Sequence, residues 1–200
     1  MTENRDDAPA AHDTEVPDPA VPSTEAPEAG AADAVPQHLL SWADRSPVAA
    51  AMFNPAVVAV IIAAATNQYE DVTGDPMPWP LAYLVPPLVL HGPTRAALPR
   101  TSRTSLPNWV NNHPVLNAGF PARARHLAPT VREGLRFALR ENALQLTADG
   151  GSFTSTKLKG VKKTAPGDLA PVVLASGMLG RIFGRTRDPA TIFATLRVRP

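Results

Sequence analysis

Residues 130–159 read TVREGLRFALRENALQLTADGGSFTSTKLK, and a change of period inside them sets the fold class. Over 130–142 the apolar residues recur at helical spacing. Val131, Leu135, Ala138 and Leu139 share one face of a helix. After Asn142 the period drops to two. Leu144 and Leu146 alternate with Gln145 and Thr147, Ala148-Asp149-Gly150-Gly151 supplies turn chemistry, and β-branched and apolar residues return over 152–159. That pattern predicts a β-hairpin directly after an amphipathic helix.

Upstream, residues 105–112 predict a short helix stopped by Asn111-Asn112-His113-Pro114, and residues 116–127 predict another. Helix, helix, helix, hairpin is the layout of a winged helix-turn-helix. The unit would span about 103–163, with the helix from Thr130 in the recognition position and residues 144–159 as the wing. The expected fold class is therefore mainly α, with a minor β element.

Nearer the N-terminus, residues 37–52 predict a short helix broken near Ser46-Pro47. Asn54-Pro55 then gives an N-cap and a first-turn proline for a helix over 55–68. Residues 48–65 are nearly all apolar, but the cap cuts the run. Only about ten continuous apolar residues remain, against the ~20 of a bilayer span. A helix apolar on every side is expected at the centre of a soluble core. Residues 70–80 read as a loop. Pro86-Pro87 predicts a kink, or a helix start, within 81–90. Downstream, Asp168 is expected to cap a helix that runs to Phe183 and stops at Gly184. Asp188-Pro189 begins a last short helix, and the chain closes on an extended end. The C-terminal helices would thus occupy 168–196.

The formal net charge of +1 hides a division. Residues 1–37 carry nine Asp/Glu against one arginine, with six prolines and no aromatic residue. Such a stretch cannot bury enough surface to offset its ordering entropy, so it is expected to be disordered. It has neither the basic nor the apolar region of a secretory signal. Residues 38–200 form the expected single folded domain, with eighteen Lys/Arg against nine Asp/Glu.

Part of that positive charge is patterned. Arg132, Arg136 and Arg140 follow one another at i, i+4 and i+8, beside the apolar face of their helix. Arg123 and Arg125 lie just before them, and the wing and its exit add Lys157, Lys159, Lys162 and Lys163. In the winged-helix layout these cations face one way. They suit phosphates, an acidic protein partner, or plain solvation. No aromatic residue interleaves the lysines, so stacking on single strands is disfavoured.

A second pattern is SGMLGRIFG over 176–184. Small residues at helical spacing there offset their helix cost of ~1 kcal/mol per glycine only through close approach. That approach is either to another helix of the chain or to a partner through Arg181, Ile182 and Phe183.

Chemistry is sparse by comparison. The chain has no cysteine, which removes thiol nucleophiles and cysteine-ligated metals. It has no GxSxG, HExxH, Walker or GxGxxG motif. His91, His113 and His126 fall on different elements, and the body carboxylates are mostly single, in caps and loops. An enzyme is not expected, and neither a cofactor nor a metal is implied.

Several short motifs, in order and spacing, resemble one family. They are Met52-Phe53-Asn54-Pro55, Pro78-Trp79-Pro80-Leu81, Leu88-Val89-Leu90-His91, Thr94-Arg95 and Leu98-Pro99. Further on come Arg123-Ala124 with Leu127, Arg132-Glu133-Gly134-Leu135 with Phe137-Ala138, and Asp188-Pro189-Ala190-Thr191-Ile192-Phe193 through Val198-Arg199-Pro200. Over 48–200 the chain resembles the middle component of bacterial three-component ABC-ATPase systems. The resemblance implies a helical, winged-helix-like adaptor without catalysis. Its partners would be an SMC-like ABC ATPase and an effector or C-terminal component, in defence against phage or plasmid DNA. The lack of cysteine agrees with a cytoplasmic setting, and the resemblance implies double-stranded DNA reached through the complex. A stand-alone winged-helix DNA-binding regulator is the alternative, although no coiled-coil heptads for a dimer are visible. The acidic stretch 1–37 lies outside the resemblance.

Overall fold

A computed structural model describes residues 44, 46–156 and 169–199. The acidic stretch and the four lysines of the expected wing and its exit, Lys157, Lys159, Lys162 and Lys163, lie outside the described residues. So does Asp168.

The architecture is mainly helical with one small antiparallel sheet. After a short α1 (Pro47–Met52), the chain enters α2 (Pro55–Thr73). Asn54 caps α2 as its side chain accepts a 2.8 Å bond from the Ala56 N–H, with Pro55 in the first turn. The helix does not end at residue 68. It runs on through Tyr69 and Glu70 to Gly74, whose left-handed φ of 75° lets its N–H reach the Glu70 carbonyl. The polar composition that suggested a loop is the exposed face of its last turns, with Gln68 and Tyr69 buried on the other side.

Two residues of the expected loop form β1 (Met77–Pro78), and a 3₁₀ turn follows over Trp79–Tyr83. The Pro86-Pro87 pair sits in the first turn of α3 (Val85–Val89), where missing N–H groups cost least. Then come α4 (Gly92–Ala97), α5 (Leu106–Asn112) and α6 (Pro114–Ala118).

The next two expected helices are one helix, α7 (Phe120–Arg140), with Pro129 inside it. An internal proline costs about 3 kcal/mol. Burial on both sides of the break offsets this: Phe120 and Ala124 before it, Val131, Leu135 and Ala138 after it. Leu139, expected on the buried face, is 38% exposed. Asn142 ends the helix at φ 56°, and the Ala143 N–H bonds back to the Ala138 carbonyl at 2.9 Å.

The hairpin forms as expected from β2 (Leu144–Leu146) and β3 (Ser152–Ser155). It is not a free two-stranded wing. β1 pairs with the other edge of β3, Met77 opposite Phe153, giving the order β1–β3–β2. The Ser155 N–H donates to Glu70 Oε1 at 3.2 Å, and the Ser155 hydroxyl donates to the Ala63 carbonyl at 3.1 Å. Both tie the sheet to α2.

The chain finishes with α8 (Leu169–Thr186) and α9 (Pro189–Thr195). Gly184 does not stop α8. It is a buried approach point, and the turn comes at Arg187, with φ 60°. Asp188 caps α9, accepting from the N–H groups of Ala190 and Thr191. The expected extended end is instead a turn, in which the Val198 N–H returns to the Phe193 carbonyl at 3.0 Å. Helix α2 is the axis of the core: α8 packs along it, and α7 and β3 lie against it. Val58, Ile61, Ile62 and Ala65 are wholly buried there. Among the described residues no helix is long and apolar enough to cross a membrane.

Candidate interaction surface

Arg132, Arg136 and Arg140 all lie exposed on α7, on the side away from Val131 and Ala138. Helical geometry adds Arg125, two turns earlier, to the same stripe. Arg140 pairs with its neighbour Glu141. Its Nε lies 3.0 Å from Glu141 Oε1, and its guanidinium sits 5.2 Å from the Phe137 ring centre. Arg132 and Arg136 are exposed on a helix fixed on its other face, so their charge is held in place at the surface.

Arg123 is not part of this stripe. It turns inward and donates to the Leu116 carbonyl at 3.1 Å and to Thr94 Oγ1 at 3.3 Å. Burial lowers its pKa from the ordinary arginine value. The Thr94 hydroxyl is 2.7 Å from His91 Nδ1, which also accepts from the Thr94 N–H and so caps α4. Donation from Arg123 to Thr94 and from Thr94 to His91 puts the imidazole proton on Nε2. Arg95 donates to the Val89 carbonyl at 2.6 Å. The His91, Thr94 and Arg95 motif thus joins α3, α4 and α7 and is structural. His113 is likewise engaged, donating from Nδ1 to the Trp109 carbonyl at 2.8 Å and stacking on that indole.

The expected partner surface at Arg181, Ile182 and Phe183 needs correction. Ile182 is 2% exposed and Phe183 is fully buried, both in the core around α2. The small residues beside them bring α8 so close to α2 that this face has no room for a partner. Arg181 alone is exposed, and its Nε donates to Gln68 Oε1 at 2.6 Å, an intramolecular tie to α2.

An apolar groove escapes the sequence reading because its walls come from three distant segments. Trp79, Pro80, Tyr83 and Leu84 form one wall, Ala124, Arg125 and Ala128 of α7 another, and Phe193, Val198 and Arg199 the third. It encloses about 340 Å³. A second depression of about 420 Å³ continues it past Pro80 and Phe193 to Pro189 and Ala190. The sequence signal, available in principle, was an unexplained tryptophan between two prolines. Among the described residues no three His, Asp or Glu side chains gather as metal ligands.

The fold and surface define a small, mainly helical protein whose distinctive features are an arginine stripe and an apolar groove. Comparison with family models is specific: residues 42–200 match the ABC-three component (ABC-3C) system Middle Component 3, and the chain belongs to that family. No curated protein and no solved structure matches it.

Proposed function

We propose that this middle component is a non-catalytic, cytoplasmic adaptor. It binds an SMC-like ABC ATPase and couples it to an effector component in defence against phage or plasmid DNA. The observation that carries the reading is the stripe of Arg132, Arg136 and Arg140, exposed on a helix locked into a rigid three-helix core. Preorganised cations of this kind favour an acidic partner, because little side-chain and backbone order is lost on docking. Co-expression with the ATPase of its own system tests it. The two are expected to purify as one complex, and failure to do so would sink the reading.

A second reading is duplex DNA binding through a winged-helix unit. Its specific support is the order helix, strand, helices, hairpin, with β1 against β3 and the stripe on the helix before the hairpin. In that case affinity falls steeply with salt, and each arginine removed from the stripe lowers the salt slope. Absence of duplex binding by the full chain at low salt would remove it.

A further inference from the structure

We infer that the groove walled by Trp79, Tyr83 and Phe193, with Arg125 and Arg199 at its mouth, docks an acidic segment of a partner protein that inserts an apolar anchor side chain. The inference rests on the adaptor reading and assigns it a second contact, beside the arginine stripe.

Three observations carry it. First, the groove is preformed. The Trp79 N–H bonds to the Gly151 carbonyl at 3.2 Å, and the indole meets Tyr83 edge-on with centroids 6.1 Å apart. Pro80 and Pro189 stiffen its walls. Trp79 nevertheless remains 43% exposed, a large rigid aromatic surface with unused contact area.

Second, among the described residues the charge at the mouth has one sign. Arg125 and Arg199 are exposed, and among the described residues no carboxylate lines either depression and no ion pair engages either arginine. An occupant needs negative charge outside and an apolar group inside. Third, the groove is elongated, since the two depressions share Pro80 and Phe193. That suits a length of polypeptide. Duplex DNA supplies the charge but no side chain to fill an apolar cleft.

The probe is an acetylated, amidated octapeptide, Asp-Glu-Asp-Leu-Phe-Glu-Asp-Glu, titrated into the isotope-labelled full chain. The readout is the Trp79 indole N–H resonance, identified by its loss in Trp79→Phe. A saturating shift of that resonance is expected. Arg125→Glu combined with Arg199→Glu should weaken binding at least tenfold, and both positions are exposed, so folding should survive. Replacing every acidic residue of the peptide by Lys, or the Leu-Phe pair by Ser-Ser, should abolish the shift.

Equal binding of the Lys peptide overturns the inference. So does no Trp79 shift up to about 1 mM peptide, or shifts confined to Arg132 and Arg136. Trp79 shifts that follow protein concentration without peptide would make a second copy the occupant, and overturn it too. The adaptor reading is judged separately. A wild-type chain that does not co-purify with its ATPase fails that reading whatever the peptide does. A chain that co-purifies but ignores the peptide fails only the groove.

Discussion

Gly180 of α8 rests on the backbone of Ala65 in α2: a Cβ placed on Gly180 would fall 2.1 Å from the Ala65 carbonyl oxygen and 3.0 Å from its Cα. The contact is backbone to backbone, so no side chain can rotate out of the way. Gly134 of α7 makes a comparable approach to Val58, 2.3 Å from its Cγ1. Helix α2 is thus gripped between two glycine seams.

Gly180→Ala should destabilise the chain although alanine is the better helix former by about 1 kcal/mol. Separating α8 from α2 costs about 1–3 kcal/mol, typical of overpacking. At roughly 2–4 °C per kcal/mol for a domain of this size, a melting curve resolves it. Gly184→Ala is the control. Its Cβ would meet Thr73 Cγ2 at 3.2 Å and the Tyr69 carbonyl oxygen at 3.3 Å, over 1 Å farther than the Gly180 contact, so a smaller loss is expected. An unchanged melting temperature in Gly180→Ala would contradict the packing.

Arg132→Glu with Arg136→Glu reverses charge on an exposed face. Stability should stay within about 0.5 kcal/mol of wild type. Co-purification with the ATPase should fall several-fold, and more so at low salt, where screening is weakest. Wild-type recovery of the complex at every salt concentration would show that the stripe is solvated and idle.

His91 couples stability to pH. Burial, and then the nearby Arg123 charge, hold its pKa below the ordinary histidine value. With the folded value depressed, the unfolded chain takes up the proton first as pH falls. The stabilisation is therefore complete above about pH 6.5 and is withdrawn as pH drops through the folded value. A proton on Nδ1 would also remove the acceptor that caps α4. His91→Asn keeps an acceptor but does not titrate, so thermal melts of that variant should change less between pH 7 and about pH 5. Equal slopes in both proteins would remove His91 as the cause.

Glu70→Ala should loosen the sheet. The Ser155 N–H loses its carboxylate acceptor, and about 1 kcal/mol of net stability goes with it. Hydrogen exchange at the Ser155 amide should accelerate at least tenfold, while the α2 amides near Ile61 change little. Uniform acceleration across both would mean global destabilisation instead of release of the sheet.

Much of this was legible from local chemistry. Asn54-Pro55 starts α2, Asp188-Pro189 starts α9, and Gly150 turns the hairpin with φ 70°, because caps and turns depend on a few neighbouring atoms. The arginine stripe was legible for the same reason, since one helix carries it. The misreadings share a cause. Gly184 and Pro129 are helix breakers by propensity, yet both lie inside helices. Ile182 and Phe183 looked like a surface, yet they are buried.

The sequence by itself determined the mainly helical class, the hairpin after a basic helix, and the resemblance to a middle component. These rest on periodicity, caps and short motifs, whose physics is complete within a few residues. Only the tertiary structure decided that α8 closes on α2 through Gly180, that β1 joins the hairpin, and that Trp79, Arg125 and Arg199 meet around one groove. The reason is that those outcomes depend on which distant surfaces can reach van der Waals contact, and spacing along the chain does not encode distance across it.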